Sequence, residues 1–349
     1  MKLEDLLKHT SEWLKGTGPN SNIVISSRIR LARNLADTPF SHRAAKKERE
    51  EVQETVKQAV ESCAFLKKST FIDMEGLNDI DKLFLVERHL MSREHAVGQG
   101  PRGIAIDDRE ILSIMVNEED HIRLQVMQSG FNLTEAWRIT DEIDSELASR
   151  LTYAYSDKLG FLTACPTNVG TGLRGSVMLH LPALVFTNQA NSVLQAITKL
   201  GLAVRGFYGE GTEVQGNFFQ ISNQVTLGRS EADIIDNIER VISQIIQREE
   251  AARKGIFLRS KEKLVDRIWR SYGTLRSAHI ITSNETIELF SAIRLGIDMG
   301  IITDITIPAI NDLLLLTQPA HLQKMEKKVL NSNERDLKRA EIIRKKLGG

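Results

Sequence analysis

The spacing of apolar residues changes once along this chain, near residue 255, and that change limits the possible folds more than any other feature. Before it, alternating apolar and polar residues predict short strands at 23–31, 104–106, 111–126, 161–165, 176–181 and 217–227. Hairpin-like turns such as residues 107–110 join some of them, with no regular strand–helix–strand rhythm. Beyond residue 255 the strand pattern ends and apolar residues follow helical spacing. We therefore expect an α+β chain in which a mainly antiparallel sheet, flanked by helices, precedes a helical C-terminal domain.

Three helices are predicted beside this sheet. The first spans residues 44–63, and the second follows Thr134 as its possible N-cap. The third begins at Ser230, where Asp233 completes a capping box, and is expected to run to about Glu250.

Composition excludes several classes of protein. Lys plus Arg equals Asp plus Glu at 46 each in 349 residues, so the charge balance gives no support for direct nucleic-acid binding. No apolar stretch approaches the ~20 residues of a membrane span, and the N-terminus does not read as a secretory signal. Two cysteines are too few for a disulfide framework. We expect a cytoplasmic protein without membrane or nucleic-acid partners.

Two arginines alternate along the first predicted strand. The period of two places Arg28 and Arg30 on one face, while Ile29 and Leu31 point to the other. Guanidinium groups stay charged and bind oxygens in pairs, so this face suits a polyphosphate. The alternative for this segment alone is a solvated strand face with surface salt bridges.

Three consecutive acids occupy residues 118–120, inside the long segment at 111–126. If extended structure persists there, one polar face of the strand carries Glu119, His121, Arg123 and Gln125. The acids then suit a metal or a cationic substrate, and an exposed acidic turn is an equal alternative.

A Gly-rich turn follows the strand predicted at 161–165. Cys165 ends that strand, and the turn continues to Arg174, offering backbone N–H groups to phosphate. The turn lacks the Gly-Lys-Ser/Thr of a Walker motif, and a lone cysteine at a strand end usually belongs to the core. A further loop at 205–211 holds Arg205 and Glu210 and by itself indicates only a surface turn.

Four sequence blocks together resemble the phosphagen (guanidino) kinase family. They read Ser-Ser-Arg-Ile-Arg at 26–30, Asn-Glu-Glu-Asp-His at 117–121, Cys-Pro-Thr-Asn-Val-Gly-Thr-Gly-Leu-Arg at 165–174 and Ile-Ser-Asn at 221–223. The resemblance covers roughly residues 22–252, which implies that family's antiparallel catalytic domain. The family's small helical N-terminal domain is missing and a helical C-terminal region is added. That layout is similar to the bacterial protein arginine kinases of the McsB type.

This resemblance implies three parts and a set of site residues. The parts are an N-terminal helical extension at 1–21, a catalytic domain at 22–255 and a C-terminal domain at 256–349. The implied catalytic residues are Glu119, Glu210 and Cys165. The two glutamates would grip the acceptor guanidinium and one of them would act as the base, while Cys165 as a thiolate would polarise and position the guanidinium. The implied ATP-binding residues are Ser26, Ser27, Arg28, Ile29, Arg30, His89, Arg123, Arg174, Gly175, Ser176, Val177, Met178, Arg205, Gly206, Phe207, Tyr208, Gly209 and Glu210. Mg²⁺ is expected to be held mainly by the nucleotide phosphates and water, with Glu118 nearby and no residue assigned as a direct ligand.

The resemblance also carries expectations for the C-terminal domain and for partners. Residues 335–340 resemble a phosphoarginine-binding motif, with Arg335, Asp336, Arg339 and Ala340 as its binding residues; the alternative is a basic helix stripe with acidic partners. The expected activity is ATP-dependent phosphorylation of arginine in proteins during bacterial stress response and protein quality control. Expected partners are substrate proteins, an activating adaptor, protease or chaperone machinery and a second copy of the chain. The alternatives are a free-arginine or other small guanidino kinase, and an inactive phosphoarginine-reading scaffold.

Overall fold

The computed structural model describes residues 3–7, 10–206 and 215–348. Its strands are β1 (Val24–Arg33), β2 (Thr70–Asp73), β3 (Gly103–Ile106), β4 (Leu112–Val116), β5 (Ile122–Ser129), β6 (Tyr155–Ser156), β7 (Gly160–Phe161), β8 (Leu173–His180), β9 (Leu202–Arg205) and β10 (Phe218–Asn223). Its helices are α1 (Leu3–Leu6), α2 (Lys46–Ser62), α3 (Asp79–Glu87), α4 (Arg93–Val97), α5 (Leu133–Ala148), α6 (Pro182–Phe186), α7 (Ala190–Lys199), α8 (Glu231–Arg259), α9 (Lys261–Ser277), α10 (Ser283–Asp298), α11 (Ile307–Leu316), α12 (Pro319–Glu326) and α13 (Ser332–Leu347).

Eight strands form one sheet in the order β2-β3-β4-β5-β1-β8-β10-β9, and every neighbouring pair is antiparallel. The predicted fold class is therefore confirmed. β1 lies at the centre, where Ile29 and Leu31 are fully buried on the core face. Its other face carries Arg28 and Arg30. The register sets Arg30 opposite Arg174 of β8, so charges from two strands meet at one level of the sheet.

The segment predicted as one strand at 111–126 is two strands, and that prediction was wrong. β4 ends at Val116 because Asn117 adopts a positive φ of 60°, and the Asn117 N–H donates to the His121 carbonyl over 3.0 Å. Residues 117–121, called the acid turn below, therefore bulge out of the sheet. Glu119 does not share a strand face with Arg123, and the His121 ring is buried away from that face.

Other predicted boundaries also moved. The strand at 161–165 stops at Phe161, and the one at 217–227 stops at Asn223. Thr134 is not an N-cap, since α5 begins at Leu133 and the Thr134 hydroxyl instead donates to Glu239 Oε1 over 2.7 Å.

Helix α8 confirms the Ser230 capping box but continues nine residues beyond Glu250, to Arg259. The buried face of the helix continues past that point with Ala252, Arg253 and Ile256, and Arg253 pairs with the buried Glu249 over 2.8 Å. Glu249 also accepts the backbone N–H groups of Ala183 and Leu184 at the start of α6. A buried ion pair thus interrupts the apolar pattern of α8 near residue 250.

The chain preceding β1 bridges the sheet and the C-terminal helices. A 3₁₀ turn at Glu12–Leu14 packs on β1 and β5, and Trp13 is 2% exposed. Asn311 on α11 donates to the Leu14 carbonyl over 2.7 Å, and the Thr10 hydroxyl donates to Asp312 over 2.6 Å. Among the described residues, no helix is long and apolar enough to cross a membrane.

Candidate active site

A cluster of guanidinium groups occupies the face of the sheet opposite the core. Arg28 and Arg30 come from β1, Arg123 from β5, Arg174 from β8 and Arg205 from β9. Burial, followed by the charges of Arg123, Arg174 and Arg205, lowers the pKa of Arg28 to about 9. The pKa of Arg30 is also lowered well below its usual value, first by burial and then by Arg28. The structure thus gathers all five predicted phosphate-binding arginines into one positively charged site, in which like charges repel one another.

One carboxylate enters this cluster. Glu118, at the start of the acid turn, pairs with Arg123 and accepts a hydrogen bond from the Ser92 hydroxyl. Burial by itself would raise the pKa of Glu118, and the Arg123 charge and the Ser92 hydrogen bond overcome that effect and lower it. Glu118 is therefore ionised and neutralises only part of the positive charge, which leaves the site suited to a polyanion. Ser92 was not predicted from sequence.

Glu119 and Cys165 lie together at the edge of the arginine cluster, as predicted. The Cys165 side chain lies close enough to Glu119 to act on the pKa of that carboxylate. Its sulfur also lies 3.0 Å from Thr167 Oγ1. Burial, followed by the neighbouring charge of Asp120, raises the pKa of Glu119. A carboxylate of raised pKa beside a thiol can accept a proton from, and hold, a cationic group. Glu210, the other predicted catalytic acid, lies outside the described residues.

A narrow pocket adjoins Arg28 on the side of the N-terminal segment. It is lined by Trp13, Ser26, Arg28, His89, Met127, Ser176, Met178 and Gln220. His89 lies edge-on to the Trp13 ring at 5.0 Å between centroids. Burial, followed by the charges of Arg28 and Arg93, lowers the pKa of His89 to about 3, so its ring is neutral.

Two donors in this pocket, Trp13 Nε1 and Gln220 Nε2, are buried and have no hydrogen-bond partner among the described residues. Buried donors are usually satisfied, so an orphaned pair suits a ligand that brings acceptors. Neither residue was predicted from sequence. Trp13 lies far from every motif in the chain, and Gln220 reads as an ordinary strand residue. Nothing in the sequence could have associated them.

The remaining predicted ATP-binding residues have different surroundings. Arg28 Nε donates to the Ser176 hydroxyl over 3.3 Å. The Ser27 hydroxyl donates to the Gly130 carbonyl, and the side chains of Ile29 and Val177 are fully buried in the core. The N–H of Gly175 donates to Asn223. Gly206 is buried beside the undescribed segment, and Phe207, Tyr208 and Gly209 lie within it.

The predicted phosphoarginine motif lies on α13, and one of its arginines is engaged within the fold. Arg339 is 1% exposed and donates to the carbonyls of Thr317 and Ile281, each over 2.9 Å, and to Asp336. Arg335 is partly exposed and donates to the Leu330 carbonyl over 2.7 Å. Ala340 is buried.

A larger open groove lies elsewhere, beside α8, and holds no arginine of the cluster. Its lining residues are Leu200, Arg229, Asp233, Asp236, Asn237, Glu239, Arg240, Ser243 and Gln244. Its charges are mixed and exposed, so the chemistry points to the smaller pocket and the arginine cluster.

Comparison with known proteins agrees with this geometry. Residues 51–252 match the model of the ATP:guanido phosphotransferase C-terminal catalytic domain, and residues 261–349 match that of the protein-arginine kinase McsB C-terminal domain. A protein-arginine kinase of Halothermothrix orenii is 50% identical over 349 residues, covering 99% of both chains. The chain belongs to the protein-arginine kinases of the guanidino phosphotransferase family.

Further members of this kinase family are similar over nearly the whole chain. A protein-arginine kinase of Brevibacillus brevis is 48% identical over 97% of this chain and 95% of its own. Among solved structures, lombricine kinase is 26% identical over 69% of this chain and 70% of its own, with a TM-score of 0.60. A duplicated taurocyamine kinase of Schistosoma mansoni, 23% identical over 87% of this chain and 49% of its own, has a TM-score of 0.61 and supports the fold.

Proposed function

We propose that this kinase transfers the γ-phosphoryl group of ATP to the guanidinium of arginine side chains in proteins, at the arginine cluster beside Glu119 and Cys165. The observation that carries the proposal is this adjacency. Five guanidinium groups create a site that favours polyphosphate, and a carboxylate of raised pKa stands at its edge, where a cationic acceptor is needed.

The cluster's residues would bind and orient the nucleotide. The Arg28, Arg30 and Arg174 guanidiniums are preorganised by the sheet register and would hold phosphate oxygens as negative charge spreads during transfer. Arg30 Nε is a buried donor with no partner in the described part of the chain, so it would be available for such an oxygen. The orphaned donors of Trp13 and Gln220 would meet acceptors on the base or ribose.

Mg²⁺ would offset phosphate charge. Among the described residues, no group of three His, Cys, Asp or Glu side chains can hold a metal ion. In this proposal the cation is carried mainly by phosphate oxygens and water, with the ionised Glu118 close by.

The acceptor requires deprotonation, because a guanidinium has a pKa above ~12 and is a poor nucleophile while protonated. Glu119 would accept a bidentate contact from the acceptor's N–H groups and take one proton as the N–P bond forms and the bond to the leaving ADP oxygen breaks. The raised pKa of Glu119 makes this carboxylate a stronger base for the proton transfer. Cys165 would orient the guanidinium, with Glu210 as the partner acid.

Two alternatives predict different substrates. A free-arginine kinase would prefer the amino acid, and an inactive phosphoarginine reader would transfer no phosphate. The presence of a carboxylate of raised pKa, Glu119, beside Cys165 disfavours the reader, because binding alone requires no base. The names of the curated relatives favour protein substrates.

For the C-terminal domain we propose phosphoarginine binding at Arg335, Asp336, Arg339 and Ala340. In that site Arg339 would anchor the pocket wall through its contacts to Thr317 and Ile281. The rest of the proposal follows from the family resemblance. It comprises a cytoplasmic location, a homodimer, an activating adaptor and a link to protease or chaperone machinery.

The deciding experiment compares acceptors directly. The protein is incubated with Mg-ATP and an arginine-rich unfolded protein, the same protein with lysine at every arginine, or free L-arginine, and acid-labile phosphate is measured. We expect phosphate only on the arginine-bearing protein, and no transfer by Glu119→Ala. A higher specificity constant for free arginine would establish the small-molecule alternative.

A further inference from the structure

Asn34, the first residue after β1, joins two segments that are distant in sequence. Its side-chain amide donates to Asp120 Oδ1 over 2.6 Å and to the Leu162 carbonyl over 3.0 Å. Its Oδ1 accepts the His121 N–H over 2.9 Å. The residue is 1% exposed, so all these contacts are made away from water.

Asp120 completes the link from the opposite side. The same Oδ1 atom that binds Asn34 also accepts the backbone N–H of Ala164 over 2.7 Å. One buried carboxylate oxygen therefore ties the acid turn both to the end of β1 and to the residue preceding Cys165. We call Asn34 and Asp120 the clasp.

The His121 ring fixes the same turn independently. Its Nδ1 accepts the Leu35 N–H over 3.0 Å, so its proton lies on Nε2, which donates to the Pro39 carbonyl over 2.9 Å. Burial lowers the pKa of His121, consistent with a neutral ring. This second tie holds the turn to the β1 exit, whereas the clasp also reaches the Cys165 segment through Ala164.

The clasp lies next to both Glu119 and Cys165 in the sequence. Asp120 follows Glu119 directly, and Ala164, which donates to Asp120, directly precedes Cys165. Neither member lies in a strand: Glu119 is on the acid turn, and β7 ends four residues before Cys165. Without ladder hydrogen bonds, the relative position of the two segments depends on side-chain contacts. The clasp is a buried, fully engaged contact between them.

We propose that Asn34 and Asp120 are positioning residues that set the separation of Glu119 and Cys165 without touching the acceptor. The proposal rests on the proposed function only in assigning that pair to the acceptor. A purely structural contact would affect stability alone. A positioning contact also changes how Cys165 is held, and with it turnover.

The first test needs no catalysis. Alkylation of Cys165 by iodoacetamide reports the placement of its thiol, and the Cys165→Ser variant gives the background. That background is low, because Cys63 is fully buried and burial raises its pKa to about 11. Cys165 is partly exposed and its sulfur lies beside Thr167 Oγ1. In Asn34→Ala we expect alkylation to quicken about tenfold, since the freed segment exposes the sulfur further.

A matched control separates positioning from general destabilisation. Asn311 is another 1%-exposed asparagine with a side-chain and a backbone contact, to Arg294 and to the Leu14 carbonyl. Asn311→Ala should lower the melting temperature as Asn34→Ala does, and leave Cys165 alkylation unchanged. If both variants accelerate alkylation equally, the clasp has no specific role.

Turnover gives the second test. Asn34→Ala and Asp120→Ala should each lower kcat by about 10²-fold, the scale of a ~1 Å misplacement, while the ATP dissociation constant stays within about twofold. The double variant should be no slower than either single, because both remove one contact. Asp120→Asn keeps the accepting oxygen and should recover most of the rate. Its pH–rate profile should fall off on the acidic side at a lower pH than in the original protein, because the Asp120 charge that raises the Glu119 pKa is gone.

The outcomes separate this proposal from the proposed function. Additive losses of kcat in the double variant, or unchanged alkylation in both single variants, would overturn the clasp even in an active kinase. Faster alkylation in a protein that phosphorylates no arginine would leave the clasp intact and remove the arginine-kinase assignment. Asp120→Ala serves if Asn34→Ala does not fold, since it removes the same Asn34–Asp120 hydrogen bond together with the one donated by Ala164.

Discussion

Arg28 should destabilise the nucleotide-free protein. Its pKa falls from the ordinary value of a guanidinium to about 9 through burial and three neighbouring arginines. At about 1.4 kcal/mol per pKa unit, this corresponds to about 5 kcal/mol against the charged form. Arg28 retains some solvent contact, so screening reduces the net cost, and we expect about 2 kcal/mol. The penalty applies at neutral pH, where a group of pKa about 9 is protonated.

The perturbation is Arg28→Met, which keeps an apolar stem and removes the charge. In urea unfolding at pH 7.5 without nucleotide, we expect the free energy of unfolding to rise by about 2 kcal/mol. Mg-ATP should then stabilise the variant much less than the original protein, because the repulsion that phosphate relieves is smaller. Arg28 would thus lower the stability of the nucleotide-free protein and at the same time strengthen nucleotide binding.

Arg33→Met is the matched control on the same strand. Arg33 is 2% exposed and pairs with Asp144 over 2.8 Å, while its Nη1 donates to the Thr171 carbonyl. Removing this charge leaves Asp144 without its partner and should cost roughly 3 kcal/mol. The reasoning requires Arg28→Met to raise the free energy of unfolding and Arg33→Met to lower it. If Arg28→Met lowered the free energy of unfolding as Arg33→Met does, the repulsion argument would be wrong.

Three further predictions concern the pocket, the C-terminal motif and acid stability. Trp13→Phe, which removes one orphaned donor, should raise the ATP dissociation constant about fivefold by calorimetry, the effect of ~1 kcal/mol, and Gln220→Leu should act similarly; unchanged affinity in both would exclude that pocket from nucleotide binding. Arg335→Ala should abolish calorimetric binding of free phosphoarginine while ATP binding persists, and equal binding would reject the motif. Burial lowers the pKa of His95 to about 4. The unfolded state therefore binds the extra proton, and stability should fall as pH drops below about 6.5. His95→Gln should shrink the stability loss between pH 7.5 and 5.5 by about 1.4 kcal/mol in denaturant titrations, whereas an unchanged loss would contradict the neutral buried ring.

The sequence predicted those features that depend on local periodicity. The alternation along residues 23–31 placed Arg28 and Arg30 on one face, and the structure has them there. It could not show that Arg174 lies opposite Arg30, because cross-strand register follows from how the whole sheet is paired. The family resemblance, confirmed by the comparisons, supplied that association.

The errors share a physical cause. The acid turn reads as strand because its flanking residues alternate, and a single positive φ at Asn117 interrupts it. The end of α8 was placed too early because Glu249 and Arg253 are polar yet buried. Trp13 was missed because its importance arises from tertiary contact with His89. Periodicity does not record positive φ, buried ion pairs or distant neighbours.

The bridging segment before β1 has a consequence for the order of events during synthesis. Its partners on α11, Asn311 and Asp312, leave the ribosome about 300 residues after Leu14 and Thr10. Trp13 lies within this segment, so the wall it contributes to the narrow pocket cannot be secured until nearly the whole chain has emerged. Contacts of such long sequence separation form late. A nascent chain that has already folded its sheet would therefore bind nucleotide weakly, and arginine phosphorylation would begin only once the helical domain has docked.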